Sequence, residues 1–452
     1  MKVHFIAVGG SVMHQLAISL KLKGYEITGS DDDIFEPAKT NLTNAGIMPS
    51  TIGWNIKNIN KDLDAVILGM HARLDNPELI CARELGLKIY SFPEYIYSES
   101  LNKKRVAIGG SHGKTTTTSM IMYALQKTGK DFDFMVGAKL EGFDQSVQIS
   151  QAPVIICEAD EYPASAIERR PKFHFLFPHL AVLTGIAWDH INVFPTFEFY
   201  KEQFIIFIGM IEKGGLLIYN ETDPVLKELV ENNKRDDINY KPYHLPENSI
   251  SNGETTVSIE GAKGVLSVFG DHNLMNLNAA YLVCKDLGVS AKDFLNVIVD
   301  FKGAARRLEV MFKEPWFNIY RDFAHAPSKV KASIQAVKNQ FPDRKLITIL
   351  ELHTYSSLNA DFMTEYKGSM DLTDHCAVFY SAHALEIKRM PFLEPEIIRK
   401  GFAKENLAVL TDKNMLKDWL QKQEFNESNL LLMSSGSFEG LDILATINKG
   451  VQ

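Results

Sequence analysis

The stretch Gly109-Gly110-Ser111-His112-Gly113-Lys114-Thr115-Thr116 stands between an apolar run, 106–108, and a segment whose helical spacing begins at Lys114. A glycine-rich turn that leaves a buried strand and opens a helix belongs in a parallel α/β layer. There the strand-to-helix turns gather at the carboxyl edge of the sheet. Glycines let backbone N–H groups close around phosphate oxygens, and the helix N-terminus adds partial positive charge. In such a turn Lys114 reaches the β- and γ-phosphates and the Thr115 hydroxyl ligates Mg²⁺. The longer GxxxxGK[ST] pattern would want glycine where Ile108 stands. The plainer alternative is a strand–helix turn that holds no nucleotide.

The same alternation of short apolar runs and amphipathic segments fills the chain. Strands are expected at 3–8, 26–28 and 65–68, with helices at 12–22 and 77–85. A second unit starts near Lys103, with strands at 106–108, 154–157, 182–184 and 216–219. A hairpin at 255–259 and 265–268 is expected beside that sheet, then helical spacing from Asn273 to Leu287. A third unit follows Arg307, with strands at 318–320, 346–350, 377–380 and 430–433. A chain of 452 residues fits roughly three domains at about 150 residues each. Its 45% hydrophobic and 23% charged content excludes a mostly disordered or collagen-like chain.

Lys and Arg total 48 against 56 Asp and Glu, a net charge of −8 with no basic run, which argues against a nucleic-acid partner. No apolar stretch approaches the ~18 residues that span a bilayer. His4 interrupts the N-terminal apolar run, so a signal peptide is not expected. Four cysteines, none at CxxC spacing, fit a reducing cytosol and argue against a zinc knuckle.

Other candidate residues fall where parallel strands end. Gly9-Gly10, Ser30-Asp31 and His71 sit at the carboxyl ends of the first unit's strands, where its ligand is expected. Glu158-Ala159-Asp160-Glu161 follows the strand at 154–157. Acids there suit a metal that neutralises phosphate, or else form a solvated turn. Asp189-His190 follows the strand at 182–184 in the same way. His272-Asn273 opens the helix that carries Asn276. The two amides, at i and i+3, share one face and suit a base edge, unless they are an N-cap and a surface amide. Arg306-Arg307 and Asp322-Phe323-Ala324-His325 flank the third unit's first strand; an arginine there can clamp phosphate.

Taken in order, these pieces resemble the Mur ligase family of ATP-dependent amide-bond ligases, over nearly the whole chain. The marks are Gly110 to Thr116, Glu158 to Glu161, Asp189-His190, His272-Asn273-Leu274-Met275-Asn276, Gly303 with Arg306-Arg307, and Asp322-Phe323-Ala324-His325-Ala326-Pro327. The family's shorter phosphate loop accounts for Ile108. The resemblance implies an α/β, three-domain Mur ligase architecture. A Rossmann-like N-terminal domain, 1–98, would bind a UDP-sugar through Gly9, Gly10, Ser30, Asp31 and His71. A P-loop ATPase central domain, 99–306, would bind ATP. A Rossmann-like C-terminal domain, 307–452, would take the amino acid or peptide, with His325 on the substrate side.

The resemblance also implies roles. Gly110, Ser111, His112, Gly113, Lys114, Thr115 and Thr116 would hold the ATP phosphates, with Mg²⁺ on Thr115 and a second Mg²⁺ on Glu158 and His190. Asn276, with His272 and Asn273, would read adenine; Arg307 would touch phosphate and Asp322 the ribose or nucleotide. Two branches of the family start from UDP-N-acetylmuramate, one adding L-alanine and the other the recycled tripeptide L-alanyl-γ-D-glutamyl-meso-diaminopimelate. Tyr162, the stretch Arg169-Arg170-Pro171-Lys172-Phe173, Arg307-Leu308-Glu309, Asp322-Phe323-Ala324-His325 and the run Met433 to Phe438 lean toward the tripeptide branch.

The chain departs from the family pattern at Ala7, where a glycine is usual, at Arg321 and Ala326, and at Glu351-Leu352-His353-Thr354-Tyr355-Ser356-Ser357, which lacks an expected Pro-Arg. Two other classes account for less. A nicotinamide oxidoreductase would use Gly9-Gly10 but leave Lys114 and Thr115 idle. A non-catalytic nucleotide-binding regulator would leave Glu158 and His190 idle.

Overall fold

The computed structural model describes residues 1–70, 72–137, 140, 142–165, 167–188, 193–303 and 307–448. They form two compact units, Met1–His244 with Leu277–Ser290, and Leu245–Asn276 with Ala291–Gln452.

The first unit holds two sheets. The N-terminal one is built from β1 (Lys2–Ile6), α1 (Met13–Leu22), β2 (Glu26–Ser30), α2 (Ala38–Asn44), β3 (Ala65–Leu68), α3 (Pro77–Glu84), β4 (Ile89–Ser91) and α4 (Phe92–Glu99). Its strands run parallel in the order β2-β1-β3-β4. The central β3 is buried throughout and β1 all but its first residue, hence their unbroken apolar runs. Local signals start the helices. Asn76 accepts the N–H groups of Glu78 and Leu79 ahead of Pro77, and Ser91 with Glu94 forms a capping box on α4.

The second sheet is built from β5 (Lys104–Gly109), α5 (Lys114–Lys127), β6 (Asp133–Met135), β7 (Val147–Gln148), β8 (Val154–Glu158), β9 (Leu180–Leu183), α6 (Phe197–Gly209), β10 (Leu216–Asn220), α7 (Pro224–Asn232) and β11 (Asn239–Tyr243). Its order is β11-β10-β9-β5-β8-β6-β7, all parallel except the edge strand β7. β5 lies between β8 and β9, with Ile108 beside Glu158 and Gly109 beside Leu183. That register brings the ends of three strands to one edge.

The second unit opens with a small antiparallel sheet, β12 (Glu247–Ser251), β13 (Glu254–Ile259) and β14 (Ala262–Leu266). α8 (Asp271–Asp286) and α9 (Ala291–Ile298) follow; α8 belongs to this unit up to Asn276. Then come β15 (Glu309–Glu314), β16 (Phe317–Asp322), α10 (Pro327–Gln340), β17 (Lys345–Glu351), β18 (His375–Phe379), β19 (Ala408–Leu410) and β20 (Ser428–Met433). Their order is β15-β16-β20-β17-β18-β19, parallel except for β15.

The expected hairpin exists, as part of a separate three-stranded sheet in the second unit. It pairs with β12 and joins the second unit through α9 and α10. The Thr255 hydroxyl donates to Gln340 Oε1 at 2.9 Å, and Gln340 Nε2 donates to the Gly253 carbonyl at 2.7 Å. Val299 comes so near Gly264 that an added Cβ would sit 2.8 Å from its Cγ1. Among the described residues no helix is long and apolar enough to cross a membrane.

A buried ion pair ties the residue before β5 to β6 and to the segment between β7 and β8. Lys103 Nζ lies 2.8 Å from Asp133 Oδ2 and also donates to the carbonyls of Ser150 and Ala152. Asp133, fully buried, accepts in turn from the Ser150 backbone N–H and hydroxyl. Breaking such a pair on one side strands a buried charge. Lys103→Met is therefore expected to cost about 3–5 kcal/mol of stability, read as a lowered midpoint in urea unfolding. A loss below about 1 kcal/mol, the range of solvent-screened pairs, would mean that water reaches Asp133.

Candidate active site

The site is assembled where β5, β8 and β9 end. Gly110 has φ +125°, and a Cβ there would lie 2.2 Å from Thr184 Oγ1, so only glycine fits. The Thr184 hydroxyl donates to the carbonyls of His112 and Gly109, pinning the loop to the end of β9. The Ser111 N–H donates to the Gly185 carbonyl. Gly113, at φ +86°, is the N-cap of α5, and no side chain caps that end. Backbone shape and helix dipole thus suit an anion.

Two side chains leave the first turn of α5 and meet acids from the segment after β8. Lys114 Nζ donates to the Gly110 carbonyl at 2.6 Å and to Glu161 Oε2 at 2.7 Å. Burial pushes the Lys114 ammonium toward neutrality, but Glu161, Asp160 and Glu158 outweigh it and hold its pKa above the usual lysine value. The Thr115 hydroxyl donates to Glu158 Oε1 at 2.7 Å, and the Gly137 N–H to Glu158 Oε2 at 3.1 Å. Thr116 is buried in the same turn. Asp189 and His190 lie outside the described residues.

In the N-terminal sheet the expected ligand residues again share one edge. The Gly9 N–H donates to Asp31 Oδ2 at 2.6 Å, and an added Cβ on Gly9 would sit 2.9 Å from that oxygen. Burial pushes the Asp31 carboxyl up to about 6, against the Gly9 N–H that favours its charged form. Ala7, where the family pattern has glycine, adopts φ +67°, which explains the usual glycine. Gly10 accepts from the ring of His14 through its carbonyl at 2.8 Å. Ser30 departs from expectation. Its hydroxyl is buried and donates to Glu78 Oε1 at 2.6 Å, inside a network that includes His4 and Asn58. Those bonds tie it into the fold beneath the edge. His71 lies outside the described residues.

In the second unit, Asp322 is buried at the end of β16 and accepts the N–H groups of Leu308 at 2.9 Å and Ala324 at 2.7 Å. Burial raises its pKa, with Arg307 and these N–H groups opposing. The Arg307 guanidinium lies 4.6 Å from the Phe323 ring centre, and the His325 ring packs edge-on to the same ring at 5.4 Å. Arg307, Asp322 and His325 therefore form one cluster; Arg306 lies outside the described residues. On α8, the Asn273 amide nitrogen already donates to the Phe269 carbonyl at 2.9 Å, while Asn276 is buried one turn on. Burial pushes His272 down to about 4, so it is neutral at pH 7.

Residues that carried no local signal also build the site. Thr184 anchors the loop and Gly137 holds Glu158. Tyr200, from α6, donates to Glu161 Oε1 at 3.0 Å. Each acts through a contact distant in sequence.

Residues 2–101 match the model of the Mur ligase family catalytic domain, and residues 108–284 that of the Mur ligase middle domain. The UDP-N-acetylmuramate–L-alanine ligase of Sulfurihydrogenibium sp. is 31% identical over 459 residues, covering 98% of this chain and 97% of that one. A murein peptide ligase from Psychrobacter arcticus shares the fold at TM-score 0.63 and 22% identity, covering 100% of this chain and 98% of that one. The UDP-N-acetylmuramate–alanine ligase of Thermotoga maritima does so at TM-score 0.66 and 21% identity, with the same coverage. With two Mur ligase domains matched in sequence order and a relative 31% identical along nearly its whole length, this chain belongs to the Mur ligase family of ATP-dependent amide-bond ligases.

Proposed function

We propose that the chain joins the lactyl carboxylate of UDP-N-acetylmuramate to the amine of L-alanyl-γ-D-glutamyl-meso-diaminopimelate, in the cytosol, for peptidoglycan recycling. The carrying observation is the meeting of Lys114, Thr115 and Glu158 at one sheet edge. A carboxylate must attack a phosphate there, and two anions approach only where cations screen them.

The Thr115 hydroxyl and Glu158 carboxylate are hard oxygen donors 2.7 Å apart beside the loop, a set that suits Mg²⁺ with water and phosphate filling its other positions. Thr115 would hold one such ion, and Glu158, with His190, a second. Together they would supply neutralising charge between carboxylate and phosphate. Lys114 and the N-terminus of α5 hold the phosphates. The lactyl carboxylate oxygen bonds to the γ-phosphorus as ADP leaves, giving an acyl phosphate. The amine then bonds to the acyl carbon, and phosphate leaves with the electron pair of the broken C–O bond. The amine gives up a proton.

Gly9, Gly10, Asp31 and His71 are assigned to the UDP-sugar. His272, Asn273 and Asn276 are assigned to adenine, Arg307 and Asp322 to phosphate and ribose, and His325 to the substrate side. The working division is 1–98 for the UDP-sugar, 99–306 for ATP and 307–452 for the amine. The described cysteines are all free thiols, as suits a reducing compartment.

Two observations favour the tripeptide. The stretches read as tripeptide-branch features touch: the Lys172 N–H donates to the Tyr162 carbonyl at 2.9 Å, and Lys172 Nζ lies 5.9 Å from the Tyr162 ring centre. In the last sheet, Lys388 lies 5.2 Å over Tyr355, each in a segment that follows the carboxyl end of a parallel strand. The tripeptide carries more carboxylates than L-alanine and needs such cations. The names of the curated relatives favour L-alanine as the second reading.

Glu158→Gln preserves shape and removes the charge. Turnover is expected to fall about 100-fold or more, while affinity for a non-hydrolysable ATP analogue, measured by calorimetry, changes less than about ten-fold. Equal losses in both would make Glu158 a structural residue.

The amine is tested with one batch of enzyme at saturating ATP and UDP-N-acetylmuramate, following phosphate release and product mass. The tripeptide should give the higher kcat/KM. A preference for L-alanine overturns the tripeptide assignment and leaves the ligase chemistry in place.

A further inference from the structure

Tyr200 is fully buried on α6, with its ring edge-on to Phe204 and tilted against Phe194, and the chemistry above leaves its hydroxyl without a task. That hydroxyl lies 3.0 Å from Glu161 Oε1 and 2.8 Å from Ser111 Oγ. A carboxylate paired with an ammonium accepts only, so the single tyrosine proton goes to Glu161. Ser111 must then give its proton to the tyrosine oxygen. The Ser111 oxygen is in turn met by the Ala187 N–H at 2.9 Å. The result is a one-way chain of donors: Ala187 N–H to Ser111, Ser111 to Tyr200, Tyr200 to Glu161. Lys114 donates to the other oxygen of the same carboxylate at 2.7 Å. Glu161 is 1% exposed and Ser111 5%, so these bonds act in a low-dielectric interior.

We propose that Tyr200 is a positioning residue for ATP, setting through Glu161 where the Lys114 ammonium stands. This rests on the reading of Gly109 to Thr116 as the ATP loop. Three directions are fixed at once. The Gly110 carbonyl holds one side of the ammonium, Glu161 holds another, and Tyr200 with Ser111 ties Glu161 to the loop itself. Lysine has a long, flexible stem, and an anchored carboxylate removes much of that freedom before phosphate arrives. Without the tyrosine hydroxyl Glu161 is held by one fewer donor, Ser111 loses its acceptor, and the ammonium is less firmly set on its Glu161 side, though the Gly110 carbonyl still holds the other.

The test is a double-mutant cycle on nucleotide affinity, using the full chain and a non-hydrolysable ATP analogue with Mg²⁺ in calorimetry. Tyr200→Phe keeps the ring and removes only the hydroxyl. In the wild-type background it should weaken the analogue about ten-fold, the scale of one hydrogen bond to a charged group. In the Lys114→Met background it should change affinity less than about two-fold, because sites that act as one unit are not additive. A purely structural tyrosine would give the same loss in both backgrounds, and that result overturns the proposal; so does no loss in the wild-type background. If Lys114→Met does not fold, judged by thermal melting, Glu161→Gln takes its place, and Tyr200→Phe should again add less than about two-fold. Failure of the underlying reading looks different: the wild-type chain would not bind the analogue, or Lys114→Met would bind it as the wild type does.

Discussion

The site depends on one close approach, that of Gly110 to Thr184. Parallel pairing of β5 with β9 puts Gly109 beside Leu183, so the loop leaving β5 must pass directly over the residue after β9. There is no space for a side chain at Gly110, and the threonine hydroxyl fills the gap by donating to two loop carbonyls. The loop is thereby bent back, Gly113 adopts its left-handed conformation, and α5 begins with its N-terminus at the sheet edge. The pairing of β5 with β8 does the corresponding work for Glu158, setting it beside Ile108 and within reach of Thr115. A local motif thus becomes a site only because two neighbouring strands end level with it.

This dependence explains what could be read from the sequence. Central strands were legible because burial on both faces writes unbroken apolar runs; β3, at 65–68, falls where its run does. The edge strands β11 and β12 were not. β11 contains Pro242, tolerated where one side of the strand has no partner, and β12 is polar and mostly exposed. The hairpin of β13 and β14 was visible as a hairpin, but its placement rests on Gln340 and Val299, far along the chain. At the candidate site, Lys114, Thr115 and Glu158 could be proposed because their residue types stand at strand and helix ends, and the structure brings them together. Tyr200, Thr184 and Gly137 could not, since their contributions arise from contacts across the sheet. Ser30 shows what position alone leaves out. Position at a strand end suggested a ligand contact, yet its side chain turns inward to Glu78.

The charge around the loop carries the reasoning one step further. Lys114 and Lys172 face Glu158, Asp160 and Glu161, two cations against three carboxylates. Both lysines are already paired, Lys114 with Glu161 and Lys172 with Asp160, and Lys114 is largely buried. Such a site repels a triphosphate unless positive charge enters with it, because low dielectric magnifies each uncompensated anion. Glu158, which has no lysine of its own among the described ion pairs and accepts only from a hydroxyl and a backbone N–H, is the carboxylate left to meet that charge. The acidic surroundings and the proposed need for Mg²⁺ are two sides of one arrangement. Acids that would oppose the nucleotide alone favour it when it arrives with its metal, and Lys114, held at Glu161 until then, need not neutralise the phosphates by itself.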